Sequence, residues 1–200
     1  LTCVQQSVMN FGILMVQGLV NSFGPAVMAA FAAAVKIDSF AYLPVQDFGN
    51  AYSTFVAKNF GAGNGARIRE GTKKAFLLSA AYSCAVSALE CAFAAPLMGL
   101  FVEADGAAVV AAGVKYLRIE GACYAGIGCL FLFYGYYRAI QRPAMSVALT
   151  VISLGTRVVL AYALAGSCGE AGVWAAIPIG WALADLAGLM GMRRREKPRG

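Results

Sequence analysis

Residues 26–74 read AVMAAFAAAVKIDSFAYLPVQDFGNAYSTFVAKNF and then GAGNGARIREGTKK. The first part is a long apolar run interrupted by Lys36, Asp38, Pro44 and Asp47; the second turns abruptly polar and basic, with Arg67, Arg69, Lys73 and Lys74 following Lys58. A hydrocarbon core is crossed by about 20 mostly apolar residues in a helix. A basic cluster directly after such a run marks the side on which the chain emerges. This alternation repeats along the whole chain and decides the fold class.

Working outward, six runs qualify as spans: 1–23, 26–60, 75–100, 107–137, 144–165 and 171–192, followed by a basic tail at 193–200. The second and fourth exceed the length a bilayer needs, so they tilt, kink or project. Twelve of the 16 Lys and Arg residues lie after spans two, four and six: the Lys58–Lys74 group, Arg138 with Arg142, and Arg193, Arg194, Arg195, Lys197 and Arg199. The connections after spans one, three and five hold Gly24-Pro25, Glu103 with Asp105, and Glu170, without a Lys or Arg. The positive-inside rule then predicts cytoplasmic placement for both ends.

Composition agrees. Of the 200 residues 60% are apolar and 13% charged, against about 25% charged in soluble domains, and the mean hydropathy is +0.68. The net charge of +6 is gathered at span ends rather than on one folded face, which argues against a nucleic-acid partner. Disorder, a disulfide scaffold and a collagen-like repeat are excluded. The expected fold is an all-α integral membrane protein of six transmembrane helices. The start at Leu1, without methionine or a basic leader, reads as a piece of a longer polypeptide.

Catalytic chemistry finds no support. The chain has no histidine, so a His-dependent triad or His-ligated zinc site is out. Cys3, Cys84, Cys91, Cys123, Cys129 and Cys168 show no CxxC pair and read as small hydrophobes. Gly61–Gly65 lacks the Lys-Ser/Thr of a phosphate-binding loop. The expectation is a non-enzyme with no cofactor and no resident metal.

Charges inside a span need explanation, at about 2.5–3.5 kcal/mol each on insertion scales. Asp47 lies 11 residues before Lys58, roughly 16 Å in from that end at 1.5 Å per residue, so near mid-membrane. Pro44 sits one turn earlier, can kink the helix, and is a candidate hinge. Gln46, Asp47 and Asn50 form a polar patch with two open roles, lining a transport pathway or clamping helices together. Arg157 and Asp185 fall at depths within about 8 Å, and an internal ion pair is the simplest reading, with Asp47 a rival partner for Arg157. Lys36, Asp38, Lys115 and Arg118 fall toward outer span ends, where snorkelling suffices, and Glu90 takes a similarly bland reading. Glu120 is the exception, a candidate for a cavity mouth that attracts cations. The aromatic run Phe131–Tyr137 is expected as an interfacial belt.

The stretch Leu43–Asn64 resembles the second helix of the carboxy-terminal lobe in multidrug and toxic compound extrusion (MATE) transporters, which ends in a Gln-Asn-x-Gly-Ala-Gly-like turn before a basic loop. Asn21-Ser22-Phe23-Gly24, Arg138-Ala139-Ile140-Gln141-Arg142-Pro143 and Trp174–Trp181 resemble further segments of that lobe, with Lys58 and Ala139 standing where Gln and Gly are usual. The likeness is nearest to the bacterial subgroup named for DNA-damage-inducible F. It implies one six-helix lobe of a twelve-helix, two-lobe antiporter in the bacterial inner membrane. Cationic or amphipathic drug-like compounds would leave in exchange for protons or sodium by alternating access, and the partner would be a missing amino-terminal lobe. Sodium-coupled members carry acids on the lobe's first and fourth helices; here the first offers Gln5, Gln6 and Asn10, and the region of Ile127 and Gly128 offers none. The resemblance therefore implies a coupling acid outside this lobe. The alternatives are a lipid-precursor flippase of the same superfamily, for which a cavity rich in Arg and Lys would speak, and a six-helix structural membrane subunit.

Overall fold

A computed structural model describes residues 2–102 and 106–196, without the side chains of 2–6, 9 and 194–196. The loop acids Glu103 and Asp105, the side chains of Gln5 and Gln6, and the tail beyond Arg193 lie outside the described residues. Seven helices follow one another: α1 (Thr2–Asn21), α2 (Pro25–Gly61), α3 (Gly65–Gly99), α4 (Ala107–Gly121), α5 (Tyr124–Ala139), α6 (Pro143–Cys168) and α7 (Glu170–Glu196). Among the described residues, four helices (α2, α3, α6 and α7) are long and apolar enough to cross a membrane, and five spans result if the bent pair α4–α5 counts as one. The sixth crossing, by α1, stays an expectation of its uncharged sequence.

The structure departs from the sequence expectation at two places that shape the lobe. The basic segment 65–74, expected as a loop, is the first part of α3. The fourth span, expected as one long helix over 107–137, is broken into α4 and α5 at a bend of 53°. No proline causes this break. After Gly121 the helix tightens into three-residue hydrogen bonds, Cys123 N–H to Glu120 O at 2.9 Å and Gly126 N–H to Cys123 O at 2.9 Å. Such tight turns inside a helical run often mark functional hinges. Pro44, by contrast, sits within α2, which continues through it as one helix.

The bundle packs α6 along α7 and lays α2 across both α4 and α5. Small residues set the closest approach, as expected where lipid offers no hydrophobic drive between helices. The tightest contact of α2 with α5 is glycine on glycine. A methyl added at Gly135 would stand 2.6 Å from the Gly49 carbonyl oxygen, and one at Gly49 would stand 3.1 Å from that of Phe131. Ser53 Oγ closes the seam by donating to Gly135 O at 3.0 Å. Because the obstacle is backbone, Gly135→Ala is expected to destabilise by about 1–3 kcal/mol through overpacking. Gly155→Ala, where nothing lies within 4 Å, is expected to be neutral or better; thermal unfolding of the two variants in detergent checks the contrast. Leu14, Phe40, Leu77, Leu89, Val159 and Leu186 stand exposed on the outside, the surface a lipid-facing bundle presents.

Candidate functional site

The break between α4 and α5 gathers five polar side chains from four helices. Tyr116, Glu120 and Tyr124 follow at intervals of four residues, so they share one face of the bent span. Asp38 comes from α2 and Glu90 from α3. All three carboxyls are buried, with Asp38 3%, Glu90 4% and Glu120 7% exposed. Tyr116 Oη donates to Asp38 Oδ2 at 2.7 Å, Tyr124 Oη is in contact with Asp38 Oδ1, and Tyr124 Oη lies 2.8 Å from Glu90 Oε1. Gly121 lies against Glu90, whose carboxyl stands at ordinary contact distance, 3.5 Å, from where a side chain there would begin.

Proton counting gives the cluster its chemistry. A tyrosine hydroxyl has one proton, and Tyr124 faces two carboxyls with it. The second contact becomes a hydrogen bond only when a carboxyl itself carries a proton. The shared hydroxyl therefore leaves room for one further proton between Asp38 and Glu90. Glu120 Oε2 is buried without a hydrogen-bond partner, so acceptor capacity is left over.

An aromatic wall fixes this geometry. Phe31 stacks on Trp174 at 5.4 Å and 8°, and Tyr116 packs edge-on against Trp174 at 4.9 Å and against Phe31 at 5.6 Å. With its ring held on two sides, Tyr116 presents its hydroxyl to Asp38. On the outside, an apolar groove of about 500 Å³ between α2 and α3, lined by Ile37, Phe40, Leu89 and Phe93, reaches the cluster at Glu90.

Of the residues singled out from sequence, only Glu120 joins this cluster, inside the lobe rather than at a mouth. Asp38, expected toward a span end, and Glu90, given a bland reading, prove to be its centre. Their missing signal is lateral: a position along one helix gives depth but not which neighbour the side chain meets. Gln46 is half-buried, and Pro44, Asp47 and Asn50 are exposed on the lobe. Asn50 Oδ1 accepts from Arg138 Nη2 at 3.1 Å. The expected pairing of Arg157 with Asp185 is not formed: Arg157 Nε and Asp185 Oδ1 are both buried without hydrogen-bond partners. Arg157 packs beside Gly180 on α7, while Asp185 points to Gly126 on α5. Five residues separate Gly180 from Asp185, which is about 140° around a helix, so matched depth did not bring the two charges together. The aromatic run is also mostly inside: Phe133, Tyr134 and Tyr137 are buried core residues, not a belt.

A profile of the family MatE matches residues 2–163. The chain belongs to the MatE family. A curated relative, the probable multidrug resistance protein YpnP of Bacillus subtilis (strain 168), is 27% identical over 150 residues, covering 75% of this chain and 33% of the relative. The fold matches a MOP superfamily transporter from Pyrococcus furiosus with a TM-score of 0.90 at 20% identity, over 96% of this chain and 44% of that one. It also matches the MATE transporter ClbM, solved in complex with Rb+, with a TM-score of 0.87 at 25% identity, over 94% of this chain and 44% of that one. The chain thus spans less than half the length of these structures and a third of the curated relative. Its relatives are MATE transporters, and the apolar spans fit an integral membrane protein.

Proposed function

We propose that this chain forms one six-helix lobe of a two-lobe multidrug exporter, with the carboxyl cluster of Asp38, Glu90 and Glu120 holding the coupling cation. The observation that carries the reading is three buried carboxyls at a helix break, two of which, Asp38 and Glu90, share the hydroxyl of Tyr124. Discontinuous helices are where secondary transporters place such sites, and a membrane-buried acid is a functional group by default. Loading and unloading a proton changes how tightly α2, α3 and the bent span are tied. That is a two-state element a transport cycle can bias. A proton suits the tyrosine contacts.

The rest of the protein is proposed accordingly. The basic clusters face the cytoplasm of a bacterial cell, under the positive-inside rule. Asp47 and Asn50, exposed along α2, and the half-buried Gln46 line the cavity shared with an amino-terminal lobe and receive cationic or amphipathic compounds. The lobe's buried charge is mostly acidic, which fits cations better than the phosphates of lipid-linked precursors. Asp47→Asn in the full-length protein is expected to cut export of cationic dyes severalfold with unchanged membrane expression. Wild-type resistance of cells carrying it would remove Asp47 from the pathway.

A further inference from the structure

A second cavity, of about 740 Å³, lies at the basic end of the lobe, where α2 ends, α3 begins and α5 and α7 end. Its character differs from that of the carboxyl cluster. Arg69, Lys73 and Arg193 line it together with Phe60, Ile68 and Leu189, and among the described residues its lining holds no acid. The nearby Glu70 is turned away, its carboxyl paired with Lys74 at 2.7 Å on the exposed side of α3. Helix α3 starts at the cavity, and its N-cap residue Asn64 makes no side-chain cap bond. A helix amino end with its positive partial charge favours an anion. Deeper in the wall, the Thr72 hydroxyl is tied to Tyr52 Oη at 2.7 Å, which holds α3 against α2 and keeps the cavity open in shape.

We propose that this cavity binds the headgroup of an anionic phospholipid drawn from the adjoining leaflet. The shared chemistry is a phosphate recognised by two arginines, a lysine and a helix amino end. The size and the apolar wall favour a lipid over free phosphate: a phosphate ion would leave most of 740 Å³ empty, whereas a glycerol backbone and the upper acyl chains cover Phe60, Ile68 and Leu189. Basic pockets between transmembrane helices suit lipid headgroups on these same physical grounds. The site rests only on the chain's crossing a membrane and is independent of what the protein exports. It ties α3 to α5 and α7 across a cavity, so an occupied site stiffens the basic end of the lobe.

Native mass spectrometry of the purified full-length protein, titrated with phosphatidylglycerol and separately with phosphatidylcholine, tests this. Phosphatidylglycerol is expected to stay bound while phosphatidylcholine is shed. Arg69→Gln with Lys73→Gln is expected to weaken retention about tenfold or more, in line with the attraction of individual basic residues for anionic lipid. Arg67→Gln with Lys74→Gln removes the same charge from exposed positions outside the cavity, and is expected to change retention less than about twofold. Leu189→Trp, which fills the apolar wall without altering charge, is expected to weaken retention as well and guards against misfolding of the charge variant. Equal weakening by the two charge pairs, equal retention of phosphatidylcholine, or insensitivity to both cavity variants would overturn the proposal. Displacement of the lipid by millimolar inorganic phosphate would reassign the cavity to a soluble anion.

Discussion

Asp38→Asn in the full-length transporter is expected to abolish ion-driven export while leaving a folded protein in the membrane. The carboxylate accepts from Tyr116 Oη at 2.7 Å and contacts Tyr124 Oη. An amide keeps both contacts, because its oxygen accepts from one hydroxyl and its nitrogen donates to the other. Tyr124, now receiving a hydrogen bond, is free to direct its own proton to Glu90 Oε1, 2.8 Å away. The network is then satisfied without any titrating group at its centre, and the proton that loading requires has nothing to do. Coupling free energies between sites are typically about 1–3 kcal/mol, or about 5–150-fold in affinity, so removal of the shared carboxyl should bring down drug-driven proton release in everted vesicles by about 5-fold or more. Glu90→Gln is expected to follow it, since it faces the same hydroxyl. Export at the wild-type rate by both variants, with normal expression, would move coupling out of this lobe. The lipid site would be untouched by that result.

The class of the molecule was legible because hydrophobic length and charge placement are one-dimensional properties. Spans read at 26–60, 144–165 and 171–192 correspond to α2, α6 and α7, and the described residues of the basic clusters lie toward helix ends. What failed was lateral. Arg157 and Asp185 were matched in depth, yet Arg157 packs beside Gly180 of α7 while Asp185 faces Gly126 of α5. Asp38 and Glu90 looked ordinary one helix at a time, and only the packing of α2 and α3 against the bent span turns them into a site. The break itself left a faint trace, a glycine and a cysteine without a proline, and its consequence for Tyr116, Glu120 and Tyr124 depends on the bend. The spacing of those three residues by four was visible and would have been the useful signal, since two tyrosines bracketing an acid on one helical face are an unusual load for a lipid-embedded segment.

Trp174→Ala is expected to produce the largest loss of stability of any single change in the lobe and to disable the carboxyl cluster from a distance. Trp174 is 1% exposed and forms the back of the wall on which both Phe31 and Tyr116 rest. Truncation of a buried tryptophan typically costs about 3–5 kcal/mol, and the two ring contacts add to the area lost. The indole nitrogen is buried without a hydrogen-bond partner. Trp174→Phe therefore discards an unsatisfied donor along with volume and should be far milder. The functional consequence runs through Tyr116, whose ring loses the surface that aims its hydroxyl at Asp38. A double-mutant cycle separates that route from general loosening. If Trp174 works by positioning Tyr116, then Trp174→Ala adds little to the export defect of Tyr116→Phe, because contacting residues in one network are non-additive. Thermal unfolding in detergent should still register the full cost of the cavity in either background. Additive export defects would mean that the aromatic wall supports the bundle and nothing more, and the cluster's geometry would then rest on the helix break alone.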